Sequence, residues 1–144
     1  MASIPPQILQ TGEHHNSLTD GTHDCYFVAS CYHPPKPKYS VDDFVAQLSS
    51  TIEDIIDREV NPIFLITGDF NLLCTEFLEE KFGFDQLVQT STHGNNILDK
   101  VFTNRPDLFQ TTVHHSLLKT KHLAVTVRCG CCGAAVQRVS KREK

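Results

Sequence analysis

The clearest pattern of apolar and polar positions runs over residues 40–60. Val41, Phe44, Val45, Leu48, Ile52, Ile55 and Ile56 recur at helical spacing and share one stripe. Ser40 stands where an N-cap belongs, and Asp42 and Asp43 place negative charge in the first turn, where the helix dipole favours it. Asn61-Pro62 ends the helix, because a residue before proline is driven out of the helical region. Before it, residues 24–32 (DCYFVASCY) are rich in β-branched and aromatic side chains and read as a strand. Pro34, Pro35 and Pro37 forbid its continuation. After it, Ile63-Phe64-Leu65-Ile66 is a short apolar run closed by Thr67-Gly68, the pattern of a buried strand. Strand, helix and strand make a βαβ-like unit, and the connection leaves open whether the two strands are neighbours.

The remaining pattern is weaker. Residues 72–82 predict a short helix broken at Gly83, and 84–90 a short strand or extended segment. A loop at 91–96 leads to a strand at 97–103 with Asp99 inside it. A turn at 104–107 is followed by a strand at 108–115, a loop at 116–121 and a last strand at 122–127, with His122 at its start. Residues 1–23 show no sustained period and are expected to be irregular. The division expected is an irregular segment at 1–23, one domain at 24–128, and a basic, cysteine-containing tail at 129–144.

Composition narrows the class. A chain of 144 residues with 40% hydrophobic and 21% charged content has the means to build one globular core. No apolar run approaches a membrane span, and the N-terminus lacks the basic flank and apolar run of a signal peptide, so no membrane partner is expected. Six cysteines at 25, 31, 74, 129, 131 and 132 have no regular spacing and read as free thiols in a reducing compartment. The expected location is therefore intracellular, nuclear or cytoplasmic. Residues 128–144 carry a net charge of +4 against −4 for the whole chain, which leaves −8 on residues 1–127. An acidic body is not that of a strong nucleic-acid binder, whereas a bound cation would offset part of its charge.

The candidate chemistry gathers at strand ends. Asp69 and Asn71 flank Phe70 just beyond the buried strand, and in an extended chain positions two apart point to one side. The carboxylate could hold a divalent metal or polarise a water, and the amide could hold a phosphate oxygen or orient the carboxylate. Gly-Asp-Phe-Asn is also a turn composition. Tyr32 ends the first strand, either as a core-edge tyrosine with a wet hydroxyl or as a ligand contact. Asp99 and His122 complete the set that phosphodiester hydrolysis needs: an oriented water, charge on the phosphoryl oxygens offset, and an imidazole held by a carboxylate. Two other clusters are weaker. His14-His15 are adjacent and chelate poorly from a strand, and Cys129-Gly130-Cys131-Cys132 has no second ligand pair after it.

In order, these residues resemble the endonuclease/exonuclease/phosphatase superfamily, the group of DNase I and the apurinic endonucleases. The likeness is greatest to the endonuclease domain of non-LTR retrotransposons. It rests on Tyr32-His33-Pro34-Pro35, on the helix followed by Gly68-Asp69-Phe70-Asn71, and most specifically on Thr92 through Asn104, THGNNILDKVFTN. Thr120-Lys121-His122 aligns with the family's closing Ser-Asp-His. The resemblance implies an α/β (α+β) fold, the C-terminal half of a four-layer α/β sandwich of the DNase I-like type. It implies metal-dependent hydrolysis of DNA with Mg²⁺ (or Mn²⁺). Asp69 would orient or activate the water near the metal and serve as its ligand. Asn71 would help position Asp69 and the scissile phosphate. Tyr32 would contact that phosphate. His122 would act on it as an imidazole held by Asp99.

Two departures shape the expectation. Lys121 replaces the family's closing Asp, a cation where an anion supports the metal. The family's N-terminal half, which supplies a metal-binding Glu and an Asn, has no counterpart, since Glu13 and Asn16 follow no predicted strand. Hydrolysis is then expected to be impaired or lost. The alternative is a catalytically inactive truncated remnant acting as a protein-interaction module. Its uncovered sheet face would be closed by a protein partner or by self-association.

Overall fold

The stripe at 40–60 forms helix α1, Val41–Arg58, in the computed structural model, which describes residues 25–130 and the backbone of residues 7–10. Ser40 is its N-cap: the backbone is extended there, and the side-chain oxygen accepts from the Asp43 N–H at 3.4 Å. Phe44, Leu48, Ile52 and Ile55 are buried, while Val41 and Ile56 mark the exposed edges of the stripe. Four such side chains contribute roughly 1.5–3 kcal/mol each in gross burial, so docking of this face is a principal stabilising contact of the domain.

The strands flanking the helix are direct neighbours. β2 (Tyr26–Tyr32) pairs in parallel with β3 (Ile63–Asp69), and α1 is the crossover between them. On the far side of β3 lies β5 (Asp99–Thr103), antiparallel, and beyond it β4 (Asp85–Gln86). The free edge of β2 is covered by β1 (Gln7–Gln10), also antiparallel. The five-stranded sheet therefore runs β1-β2-β3-β5-β4. β6 (Phe109–His114) and β7 (Ala124–Cys129) form a separate two-stranded antiparallel sheet. A short helix α2 (Glu76–Glu80) follows β3. Helices with mixed parallel and antiparallel sheets make this an α+β protein.

Within residues 1–23, expected to be irregular, Gln7–Gln10 form strand β1, and the other residues of that segment lie outside the described residues. Four residues are too few for alternation to register in the sequence, and the ladder bonds come from the edge of β2. The last strand also starts later than expected, at Ala124, so His122 lies in the loop before it. That strand carries Cys129 as its final residue, whereas Cys131 and Cys132 lie outside the described residues, as do His14, His15, Glu13 and Asn16.

One face of the large sheet holds the main core. Phe27, Ala29 and Cys31 of β2, Phe64 and Ile66 of β3 and Phe102 of β5 cluster with the buried residues of α1. On the opposite face Val28 and Leu65 are half-buried and Ser30 is exposed, while Val101 and Thr103 nearer the β4 edge are buried. Two devices hold the strands in line. Asn104 accepts from the Phe64 N–H at 2.9 Å and donates to the Pro62 carbonyl at 2.8 Å, pinning the end of β5 to the start of β3. Gly68 lets β2 and β3 close together: its φ is +148°, and a Cβ there would lie 1.8 Å from the Cys31 carbonyl oxygen. Among the described residues no helix is long and apolar enough to cross a membrane.

Candidate active site

The register of the sheet sets Tyr32, Asp69 and Asp99 level on three adjacent strands, since Tyr32 pairs with Asp69 and Asp69 with Asp99. Paired residues share a face of a sheet, so the two carboxylates face the same side. Like charges set directly opposite repel, and a cationic or hydrogen-bonding group between them relieves the cost. His122 supplies that group. Its Nδ1 lies 2.8 Å from Asp99 Oδ2 and its Nε2 lies 4.0 Å from Asp69 Oδ2. An ionised carboxylate only accepts, so Nδ1 carries the proton and donates it to Asp99. Nε2 is the ring nitrogen turned toward Asp69. The side chains are 31% exposed for His122 and 23% for each aspartate, open enough for a ligand and sheltered enough for charge to matter.

The turn after β3 shapes this end of the sheet. Phe70 is fully buried, and Asn71 takes a left-handed φ of 46°. The chain is therefore not extended here, and Asp69 and Asn71 do not share a side by strand alternation. Instead the Asn71 backbone N–H donates to Asp69 Oδ1 at 3.0 Å, a side-chain-to-backbone turn that orients the carboxylate. The Asn71 amide donates to the His33 carbonyl at 2.6 Å, and the His33 N–H donates to the Asp69 carbonyl at 2.9 Å. The turn composition and the site are thus the same feature. Asn71 acts on Asp69 through its main chain and ties the site to the end of β2 through its side chain.

His33 is itself buried, with Nδ1 2.9 Å from the Tyr39 hydroxyl. Burial lowers its pKa, against an opposing pull from Asp69, so it stands as a neutral packing group. Tyr32 is level with Asp69 but 65% exposed, so its ring stands at the rim of the cluster. Lys121 is exposed, and Lys100 projects elsewhere, donating to Thr75 Oγ1 at 3.0 Å.

Two residues that sequence reasoning assigned no role hold the cluster together. Thr92 is fully buried, and its Oγ1 accepts from the Leu98 and Asp99 N–H groups, each at 3.1 Å. Its carbonyl accepts from the Leu123 N–H at 2.7 Å, so one residue anchors both the Asp99 strand and the chain that bears His122. His93 lies against His122, with ring centroids 4.8 Å apart. The signal for Thr92 was its place at the head of the THGNNILDKVFTN segment, but its bonds cannot be read from a one-dimensional pattern.

One carboxylate oxygen each from Asp69 and Asp99 and one ring nitrogen of His122 lie within 4.8 Å of one another. Two carboxylate oxygens and one imidazole nitrogen make a mixed donor set for a divalent cation that keeps waters in its remaining positions. The Asp99 hold on Nδ1 is the outer-sphere pattern that orients an imidazole, whether for a metal or for a substrate. No protein-family model, no curated protein and no solved structure matches the chain.

Proposed function

We propose that this chain carries a phosphodiester-hydrolysing centre of the endonuclease/exonuclease/phosphatase type, related to the endonuclease domain of non-LTR retrotransposons, and acts on DNA. The observation that supports it most is the meeting of Asp69, Asp99 and His122 from three separate segments of the chain. In this reading the central sheet and α1 are one sheet and one helical layer of a DNase I-like sandwich.

The chemistry assigned to each group follows from its contacts. Asp69, oriented by the Asn71 N–H, takes the proton of an attacking water. His122, fixed through Nδ1 by Asp99, acts as the imidazolium and donates its Nε2–H to a non-bridging phosphate oxygen. Tyr32, at the rim, meets the same phosphate from the β2 side. Mg²⁺ or Mn²⁺ held at Asp69 would supply electrostatic relief for the phosphoryl charge. Lys121, exposed beside His122, weakens cation binding, so the activity expected is low.

A second reading, an inactive module that associates through its sheet, is favoured by the half-buried Val28 and Leu65 on the face opposite α1. One assay separates the two. Purified protein is incubated with supercoiled plasmid in Mg²⁺ or in EDTA, alongside Asp69→Ala. Nicking that needs Mg²⁺ and disappears in the variant supports hydrolysis. Absence of nicking from a protein that circular dichroism shows to be folded supports the interaction module.

A further inference from the structure

Asp99 and Lys100 are consecutive on β5 and so face opposite sides of the sheet, which sends the lysine away from the cluster of Asp69, Asp99 and His122. Lys100 is half-buried, and its Nζ donates to Thr75 Oγ1 at 3.0 Å, across 25 positions of sequence. Thr75 is buried, so this bond holds the amine against the start of α2. The residue before Thr75 is Cys74, the only exposed one among the described cysteines. Lys100 interacts electrostatically with Cys74 and, less strongly, with Glu79. The fold thus sets an accessible thiol and a tethered amine together from segments that the sequence keeps apart. None of these atoms belongs to the proposed phosphodiester centre.

Thiol and amine treat an acyl thioester differently. A thiolate is the better nucleophile and exchanges with it, giving another thioester. An amine attacks more slowly but forms an amide, which does not revert. An acyl group already on the thiol meets a neighbouring amine as an intramolecular reactant, and held proximity replaces a bimolecular encounter.

We propose that Cys74 and Lys100 form an acyl-transfer pair, a modification site for small acyl thioesters in which Cys74 takes the acyl group and passes it to Lys100. In the first step the Cys74 sulfur attacks the thioester carbonyl. The donor's carbon–sulfur bond breaks, and the donor leaves as a thiol with the proton that Cys74 gave up. In the second step Lys100 releases Thr75, loses one proton to water and attacks the carbonyl carbon on Cys74. The carbon–nitrogen bond forms, the carbon–sulfur bond breaks, and a second nitrogen proton returns to the sulfur. No electrons are exchanged, and one proton is released overall. The amide is uncharged, so Thr75 loses its cationic donor.

The test incubates the full chain with acetyl-coenzyme A and follows each lysine by peptide mass spectrometry. Lys36 and Lys119, both exposed, report direct reaction. Lys100 is expected to be acetylated faster than either, and Cys74→Ser to lower its rate at least about tenfold while leaving theirs unchanged. Lys100→Arg keeps a cation beside Thr75 but forms no such amide, so acetyl should accumulate on Cys74 and be released by hydroxylamine. Urea should remove the dependence on Cys74, because the fold is what brings the two residues together. Both substitutions preserve the local hydrogen-bonding character, and circular dichroism checks that the variants fold. An equal rate at Lys100 in Cys74→Ser overturns the proposal. So does the absence of hydroxylamine-labile acetyl on Cys74 in Lys100→Arg, or a dependence on Cys74 that survives undiminished in urea.

Discussion

Replacing Thr92 by valine tests whether a single hydroxyl holds the site. Valine has nearly the same shape, so the change removes one oxygen and little volume. In the protein that oxygen accepts from two backbone N–H groups, Leu98 and Asp99, in a position with no exposure. A buried donor left without a partner costs about 1–3 kcal/mol. Two such donors, less a small gain from burying a methyl group, give a loss of about 2–4 kcal/mol. For a domain of this size that corresponds to a fall in Tm on the order of 10 °C. Urea unfolding followed by circular dichroism measures it, with Thr92→Ser as the control that keeps the oxygen. The serine variant is expected to retain most of the stability. Valine should also slow nicking at temperatures where it remains folded, because the Asp99 backbone loses its fixed position. A valine variant within 0.5 kcal/mol of the parent would refute the reasoning, since water or a relaxed loop would then satisfy both donors.

Three further outcomes follow from the geometry. Gly68→Ala places a Cβ against the Cys31 carbonyl and must part β2 from β3, so the variant should lose at least about 3 kcal/mol or fail to express folded; a parent-like melt would show that the strands lie further apart. Burial pushes the Cys31 thiol up to about 12 from an unfolded value near 9, so the folded state binds a proton that the unfolded state releases in that window. Stability should therefore fall by about 1.4 kcal/mol per pH unit from pH 9 toward 12 through this group, and Cys31→Ala should remove that part of the slope; equal slopes would exclude it. Asp99→Asn keeps the shape but removes the charge that fixes His122, and should lower any Mg²⁺-dependent nicking by roughly 10²–10⁴, with folding preserved on circular dichroism.

Local physics is legible in this chain wherever one segment contains all the information. The α1 stripe, its Ser40 cap, the apolar run of β3 and the stop at Asn61-Pro62 depend on neighbours within a few residues, and the structure has them where the pattern puts them. The chemical identity of Asp69, Asp99 and His122 was legible too, because acids and imidazoles at strand ends stand out against apolar runs. Other features depend on partners far along the chain. Pairing of β1 with β2 came from an open edge, not from the four residues of β1. The left-handed turn at Asn71, the 2.8 Å bond from His122 to Asp99 across 23 residues, and the hold of Thr92 on two segments exist only once the sheet has set its register. Residue types determine what a side chain can do, whereas distance and direction, which turn those capacities into one site, are properties of the assembled sheet.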